Sequence, residues 1–344
     1  MFTYLLIGLG ILLVIFLANL LKVMELTSNL RGSSQTQVST KDNKTQGQLL
    51  FLFFFVFMAF VIWQMLEYGP RLLPESASEH GVDVDNLMNF NLIIIGVVFV
   101  LTHAVMFYFA MKYYGKEDRK AEYFVHSTKL EFIWTSVPAV FLAIIVIYGL
   151  ATWNKMTGDV PEGALEIELY AKQFDWTARY GGSDNQLGRS NFRLIEGTNA
   201  LGVDQTDERS LDDFTVKGEF VVPVNRPINF AFRSRDVIHS AYMPHFRAQM
   251  NCVPGMITNF HFTPILTTEQ MREKTNNKEF TYTLLCNKIC GAAHYNMKMD
   301  IIVVTEDEYN KWLKEQKPIF AKSQEQPAEK VVLTPDTAKI ASIN

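Results

Sequence analysis

Cysteine is scarce in this chain, with 3 residues among 344. A disulfide-stapled secreted scaffold needs far more and is excluded. Charge is scarce too, at 20% of residues, with a net charge of −4 and no basic block. A basic nucleic-acid binder is excluded on that ground, and no nucleic-acid partner is expected. The sequence has no internal repeat and no C-x-x-C-H haem-attachment motif. What is abundant is apolar and aromatic: 48% hydrophobic residues and 26 Phe. Such a composition excludes a disordered chain, which is poor in aromatics and rich in charge.

The apolar residues are concentrated in four runs, Tyr4–Leu21, Leu49–Met65, Leu92–Met111 and Phe132–Thr152, none with Asp, Glu, Lys or Arg. Each matches the roughly 17–25 residues that cross a bilayer core. The expected architecture is a membrane α-helical N-terminal half of four transmembrane helices embedded in lipid. The first run has no basic residue before it and Lys22 after it, so it reads as a retained anchor, not a cleaved signal. Lys and Arg cluster in 22–48 and 112–131, whereas 67–89 holds only Arg71 among five carboxylates. The basic loops are expected in the cytoplasm and the segment after Thr152 outside, which in a bacterium is the periplasm, on a multi-pass plasma-membrane protein.

Downstream of Asn154 the pattern changes to short alternating or β-branched runs: 164–170, 174–180, 219–224, 228–233, 257–263, 280–286 and 298–304. Turn residues such as Gly181-Gly182 and Pro254-Gly255 separate them, as in an all-β sandwich or barrel. One terminal helix is expected over Glu306–Lys317, and Gly182–Thr215, acidic around Asp204–Asp213, reads as a surface insertion. The expected organisation is a transmembrane pair over 1–66, an outer loop over 67–89, a transmembrane hairpin over 90–153, a β domain over 154–317 and a polar tail over 318–344.

The chemistry is concentrated in two short segments. One runs Cys286-Asn-Lys288-Ile-Cys290-Gly-Ala-Ala-His294-Tyr-Asn-Met297, and the other Asp236-Val-Ile-His239-Ser. Two thiolates, two imidazoles and a thioether form a soft donor set that selects copper, or zinc where the geometry is tetrahedral. A blue-copper site uses one Cys, and an iron–sulfur cluster normally needs four protein ligands. A Cys286–Cys290 disulfide and a zinc site of two Cys and two His stay open, although the zinc site leaves Met297 unexplained. Two bridging thiolates with one imidazole per metal suit a dinuclear copper centre best.

C-x-x-x-C-G-x-x-H-x-x-M with an upstream D-V-x-H-S resembles subunit 2 of cytochrome c oxidase. The stretch Leu130-Glu131-Phe-Ile-Trp134-Thr135-Ser-Val-Pro138-Ala139 is similar to the family's L-E-x-x-W-T-x-x-P-A, Gln173-Phe174-Asp-Trp176 to its aromatic strand, and Val253-Pro254-Gly255 to a family loop. The resemblance covers roughly residues 83–317 and leaves the first two helices extra. It implies a cupredoxin-like periplasmic domain carrying the dinuclear copper A centre, two Cu bridged by Cys286 and Cys290. His239 and His294 would each ligate one copper, with Met297 and the backbone carbonyl of Lys288 as weak ligands.

The implied function is electron input to a respiratory haem-copper oxidase that reduces oxygen to water and pumps protons. Electrons would come from cytochrome c or an equivalent haem protein and pass to haem held by catalytic subunit 1, alongside other oxidase subunits. The extra helices would contact a neighbouring respiratory complex. Glu131 would stand at the entrance of a proton pathway. The family's donor-facing Trp aligns with Phe174, so electrons are expected to arrive at Phe174, Trp176 or a different contact. Lys288 replaces a Glu that helps to bind magnesium and Asn251 replaces an Asp, so no side-chain ligand is expected from Lys288. Other readings are a quinol oxidase subunit 2, which typically lacks the copper ligands, and a membrane-anchored copper-binding or assembly protein. His103 is expected to be neutral and bonded to a neighbouring helix, Cys252 to be a buried or free thiol, and His80, His126 and His245 to be surface or structural.

Overall fold

The structure is a computed structural model describing residues 2–30, 39–123 and 125–320. The tail expected over 318–344 lies, from residue 321 onward, outside the described residues. The chain divides into two compact units, one of residues 1–70 and 92–134 and the other of 71–91 and 135–344.

Among the described residues, four helices are long and apolar enough to cross a membrane. They are α1 (Phe2–Leu30), α2 (Thr40–Tyr68), α3 (Glu79–Lys112) and α4 (Thr128–Thr157). All four outrun their apolar cores, because good helix formers and caps carry the backbone into the polar flanks. At α2 the Ser39 hydroxyl accepts from the Asp42 N–H at 3.2 Å. The stretch 67–89, expected as a loop, is helical again from Glu79.

In the first unit α2 lies on α3 along a seam of small and aromatic residues. Gly47 is there because a Cβ would sit 2.9 Å from the Ala110 carbonyl. Further along, Phe54 meets Phe107 at 5.8 Å and Phe57 meets the His103 ring at 5.8 Å. The expected partner of His103 is corrected: its Nδ1 bonds the Phe99 carbonyl of its own helix, at 2.8 Å, and aromatic rings, not a second helix's polar group, surround it.

The second unit is built on two five-stranded sheets, in the orders β3-β2-β1-β5-β8 and β4-β10-β9-β6-β7. The strands are β1 (Leu165–Lys172), β2 (Asp175–Tyr180), β3 (Phe214–Val216), β4 (Glu219–Pro223), β5 (Ile228–Ser234), β6 (His239–Met243), β7 (Ala248–Cys252), β8 (Thr258–Phe262), β9 (Tyr282–Cys286) and β10 (Lys298–Val304). β1 pairs in parallel with β5, β4 in parallel with β10, and the other pairs are antiparallel. Alternation fixes the inner faces: Ile228, Phe230 and Phe232 of β5 and Met299, Ile301 and Val303 of β10 are buried. The Tyr180 hydroxyl links the sheets by donating to the Val221 carbonyl at 2.8 Å.

Three strands were not legible as runs. β6 and β7 mix polar and apolar residues, and β3 is three residues long. A further helix, α5 (Thr268–Thr275), rests on a Thr267/Gln270 capping box and not on an apolar stripe. The terminal helix α6 (Glu306–Lys314) has the same device at Thr305/Glu308 and buries Tyr309. The stretch 182–215, expected to lie on the surface, is partly internal. Asp213 is buried with Arg179, which it meets at 2.7 Å, in a network that also holds Glu168 and Arg233. Burial pushes the Asp213 carboxyl up to about 6 against the pull of the Arg179 guanidinium. Asp204 and Asp207 are also met by arginines, so much of this stretch's negative charge is neutralised internally.

Candidate metal centre

Antiparallel pairing assembles the site. β9 ends on Cys286 beside Ala241 of β6, and this brings His239, the first residue of β6, against the loop that leaves β9. The loop is closed at its base by Cys286 N–H donating to the Met297 carbonyl at 3.1 Å and Asn287 N–H to the Ser240 carbonyl at 2.9 Å. A turn of 3₁₀-helix over His294–Asn296 returns the chain to β10. The paired ends of β9 and β10, inside the sheet, hold both ends of the loop, so its donors are positioned by rigid elements.

Five donor side chains form a continuous chain of contacts. His239 Nδ1 lies 3.8 Å from Cys286 Sγ, which lies 3.8 Å from Cys290 Sγ. Cys290 Sγ lies 3.7 Å from His294 Nδ1 and 3.8 Å from Met297 Sδ. The Lys288 carbonyl stands 3.3 Å from Cys286 Sγ, while its side chain is exposed. His239 is completely buried, Cys286, Cys290 and Met297 are buried, and His294 is half-buried. His239, Cys286 and Cys290 bring one donor atom each within 4.8 Å of one another.

Two neighbours orient the donors. Asp236 Oδ1 bonds His239 Nε2 at 2.8 Å and so turns Nδ1 toward the sulfurs. Burial works against the Asp236 charge, but the Gln173 N–H, His239 and the Val237 N–H hold its carboxyl below the usual range. The Gln173 side chain donates to the Cys290 carbonyl. Neither role was legible in the sequence, although both residues lie within the quoted motifs.

Phe174 sits with Gln173 at the two-residue tip between β1 and β2 and is 36% exposed. Its ring lies against Gly291, where a Cβ would come within 2.8 Å of Cζ and where φ is +141°. Trp176 is fully buried, its ring centroid 6.2 Å from that of His239. Cys252, opposite His239 in the β6–β7 register, is buried, and burial pushes its thiol up to about 12. His245 is half-buried against Phe280 and Tyr282, and His80 is buried against Phe260 and Phe262. Glu131 stands in the first turn of α4, in the other unit, where it meets exposed His126 at 2.8 Å and accepts from the Ser127 N–H at 3.2 Å.

The donors fit copper. Burial and the facing Cys286 thiol push Cys290 up to about 11, so a second thiolate in this pocket calls for a cation beside it. Two sulfurs, two imidazoles and a thioether are the soft set that copper prefers.

Residues 61–152 match the transmembrane domain of cytochrome c oxidase subunit II, and residues 165–305 match the periplasmic domain of the same family. The alternative cytochrome c oxidase subunit 2 of Bradyrhizobium diazoefficiens is 36% identical over 236 residues, covering 68% of this chain and 80% of that protein. Cytochrome c oxidase subunit 2 of Cereibacter sphaeroides is 25% identical over 262 residues, covering 72% and 79%. Among solved structures, the periplasmic domain of subunit II of cytochrome oxidase of Bradyrhizobium japonicum is similar at 26% identity. It aligns with 48% of this chain and 99% of that one, at a TM-score of 0.31.

Proposed function

The chain belongs to the cytochrome c oxidase subunit II family, and on that premise we propose that His239, Cys286, Cys290, His294 and Met297 hold a dinuclear copper centre through which electrons enter the oxidase. The chain is a subunit of a haem-copper oxidoreductase complex, anchored by apolar helices and carrying a periplasmic cupredoxin-like domain. The observation that carries the proposal is the unbroken run of donor contacts at 3.7–3.8 Å.

The chemistry such a copper pair supplies is reversible one-electron uptake and release. The residues' part is to hold donors still and keep water out. Cys286 and Cys290 offer facing sulfurs, one imidazole flanks each, and Met297 and the Lys288 carbonyl close the two ends. Asp236 fixes the His239 ring, and the paired strands β6, β9 and β10 fix the backbone, so little has to reorganise when charge changes.

Donor contact falls to Phe174, the exposed ring against Gly291 of the donor loop, rather than to buried Trp176. The donor is cytochrome c or an equivalent haem protein, and the acceptor is haem in the catalytic subunit. Glu131, reachable from solvent at the start of α4, takes protons into that subunit. Normal turnover in Glu131→Gln would remove that role. Electron paramagnetic resonance with copper quantification on the purified complex tests the centre. Two coppers per chain with a delocalised mixed-valence spectrum are expected, and one copper with a localised spectrum would refute the reading.

A further inference from the structure

A second group of buried donors lies in the β unit, at the start of α3. The segment before that helix is tied to β8 and its neighbours. Glu79 N–H donates to the Thr263 carbonyl at 3.0 Å, Ala77 N–H to the His245 carbonyl at 2.7 Å, and the Ser78 hydroxyl to the Phe246 carbonyl at 2.7 Å. Arg247 grips Asp85, one turn further on, at 2.7 Å. This anchoring sets His80 beside His261 of β8, and the two imidazoles line one cavity of about 240 Å³ with Glu79, Asp83 and Lys155.

Both imidazoles are 7% exposed. His80 packs edge-on to Phe260 and Phe262, with centroids at 5.5 and 6.1 Å. Its Nε2 is buried with no hydrogen-bond partner. With the proton on Nδ1, such an imidazole presents Nε2 as a bare lone pair, the form in which it ligates a metal. A buried acceptor left unmatched is costly and calls for a donor or a cation. Burial holds His80 down at about 4, hence neutral at physiological pH, as a ligand must be. Carboxylates of Glu79 and Asp83 on the same wall favour a cation over a neutral donor.

We infer that this pocket binds a divalent transition-metal ion of the zinc class through His80 Nε2, a ring nitrogen of His261 and the Asp83 carboxylate. Two imidazoles and a carboxylate are a borderline donor set suited to such ions. Asp83 is now held by Lys155 at 2.7 Å, but the Lys155 side chain is 64% exposed. It can turn to solvent and leave the carboxylate to the ion. The site is separate from the copper loop and shares no residue with it.

The test uses the purified, copper-loaded oxidase complex and Zn²⁺ alone. After equilibration with micromolar Zn²⁺ and gel filtration, the wild type should carry one more zinc per complex than His80→Gln or His261→Gln at equal copper content. Affinity in each variant should fall more than about tenfold. Equal zinc in the wild type and both variants overturns the inference. An anomalous difference map of the wild type at the zinc edge decides the case even where a variant fails to assemble. A peak within bonding distance of His80 Nε2 upholds the site, and its absence overturns it.

Discussion

The β unit presents two groups of buried donors that differ in how far the fold has assembled them. At the β9–β10 loop, donors from β6, β9 and the loop are already in mutual contact, and Asp236 orients one of them from behind. Beside β8, His80 packs against Phe260 and Phe262, yet the carboxylate it would share an ion with is engaged by Lys155. Among the described residues only the group of His239, Cys286 and Cys290 brings three such donor atoms within 4.8 Å. Spacing supplies part of the reason and the β6–β9 pairing the rest. Cys286, Cys290, His294 and Met297 follow one another closely on a loop clamped at both ends, whereas His80 and His261 line one cavity only because a helix start is laced to a strand. A resident redox centre gains from the first arrangement, since fixed donors lower reorganisation. A site filled according to metal supply needs only the second.

Several substitutions would break or sharpen this contrast. The largest effect is expected from Cys290→Ser, which removes the sulfur that contacts Cys286, His294 and Met297. Copper content should fall from two per chain and oxygen-uptake turnover should drop more than about a hundredfold, with zinc at the β8 pocket unchanged. Asp236→Asn leaves every donor in place but loosens His239. Copper affinity measured by chelator competition should fall roughly 10–100-fold, and an unchanged affinity would mean that β6 alone positions the ring. Phe174→Ala should slow reduction by the donor about tenfold, worth ~1.4 kcal/mol in the barrier, with the copper spectrum intact. An unaltered stopped-flow rate would move donor contact elsewhere.

The buried Asp213 network supplies a control remote from the proposed ligands. Asp213 titrates near 6 in the folded unit, above an ordinary carboxylate, because of burial. The folded state therefore holds an extra proton between about pH 4 and pH 6. Its contribution to stability is complete below that window and is lost as pH rises through it. The thermal midpoint of the wild type minus that of Asp213→Asn should accordingly fall between pH 4 and pH 6, while copper content stays constant. A flat difference would show that Asp213 titrates normally. The smallest effect is expected at Lys288. Its side chain is exposed and only its carbonyl faces Cys286, so Lys288→Ala should leave copper stoichiometry and spectrum unaltered.

How much was legible varies by element. Apolar runs locate all four long helices but not their ends, since caps such as Ser39 and polar flanks extend them. Strands with regular alternation, such as β5 and β10, can be read from the sequence. β6 and β7 cannot, because His, Ser, Gln and Asn interrupt the alternation of polar and apolar residues. Phe174 and Trp176 lie two residues apart in one motif, yet one is at a hairpin tip and the other is in the core. Ile289 and Tyr295, among the loop's apolar and aromatic residues, are 86% and 88% exposed, which no hydropathy pattern predicts.

The amino-acid order by itself determined the membrane anchoring and the donor set, because bilayer thickness sets a run length and metal chemistry sets a ligand spacing. Both are local constraints written in consecutive residues. Tertiary structure alone decided that His239 joins the loop through the β6–β9 pairing, that Asp236 and Gln173 brace it, that Asp213 is buried with Arg179, and that His80, with an unmatched buried nitrogen, lines one cavity with His261. Those outcomes depend on which distant segments the sheets bring together, and strand order is fixed by packing of the whole core.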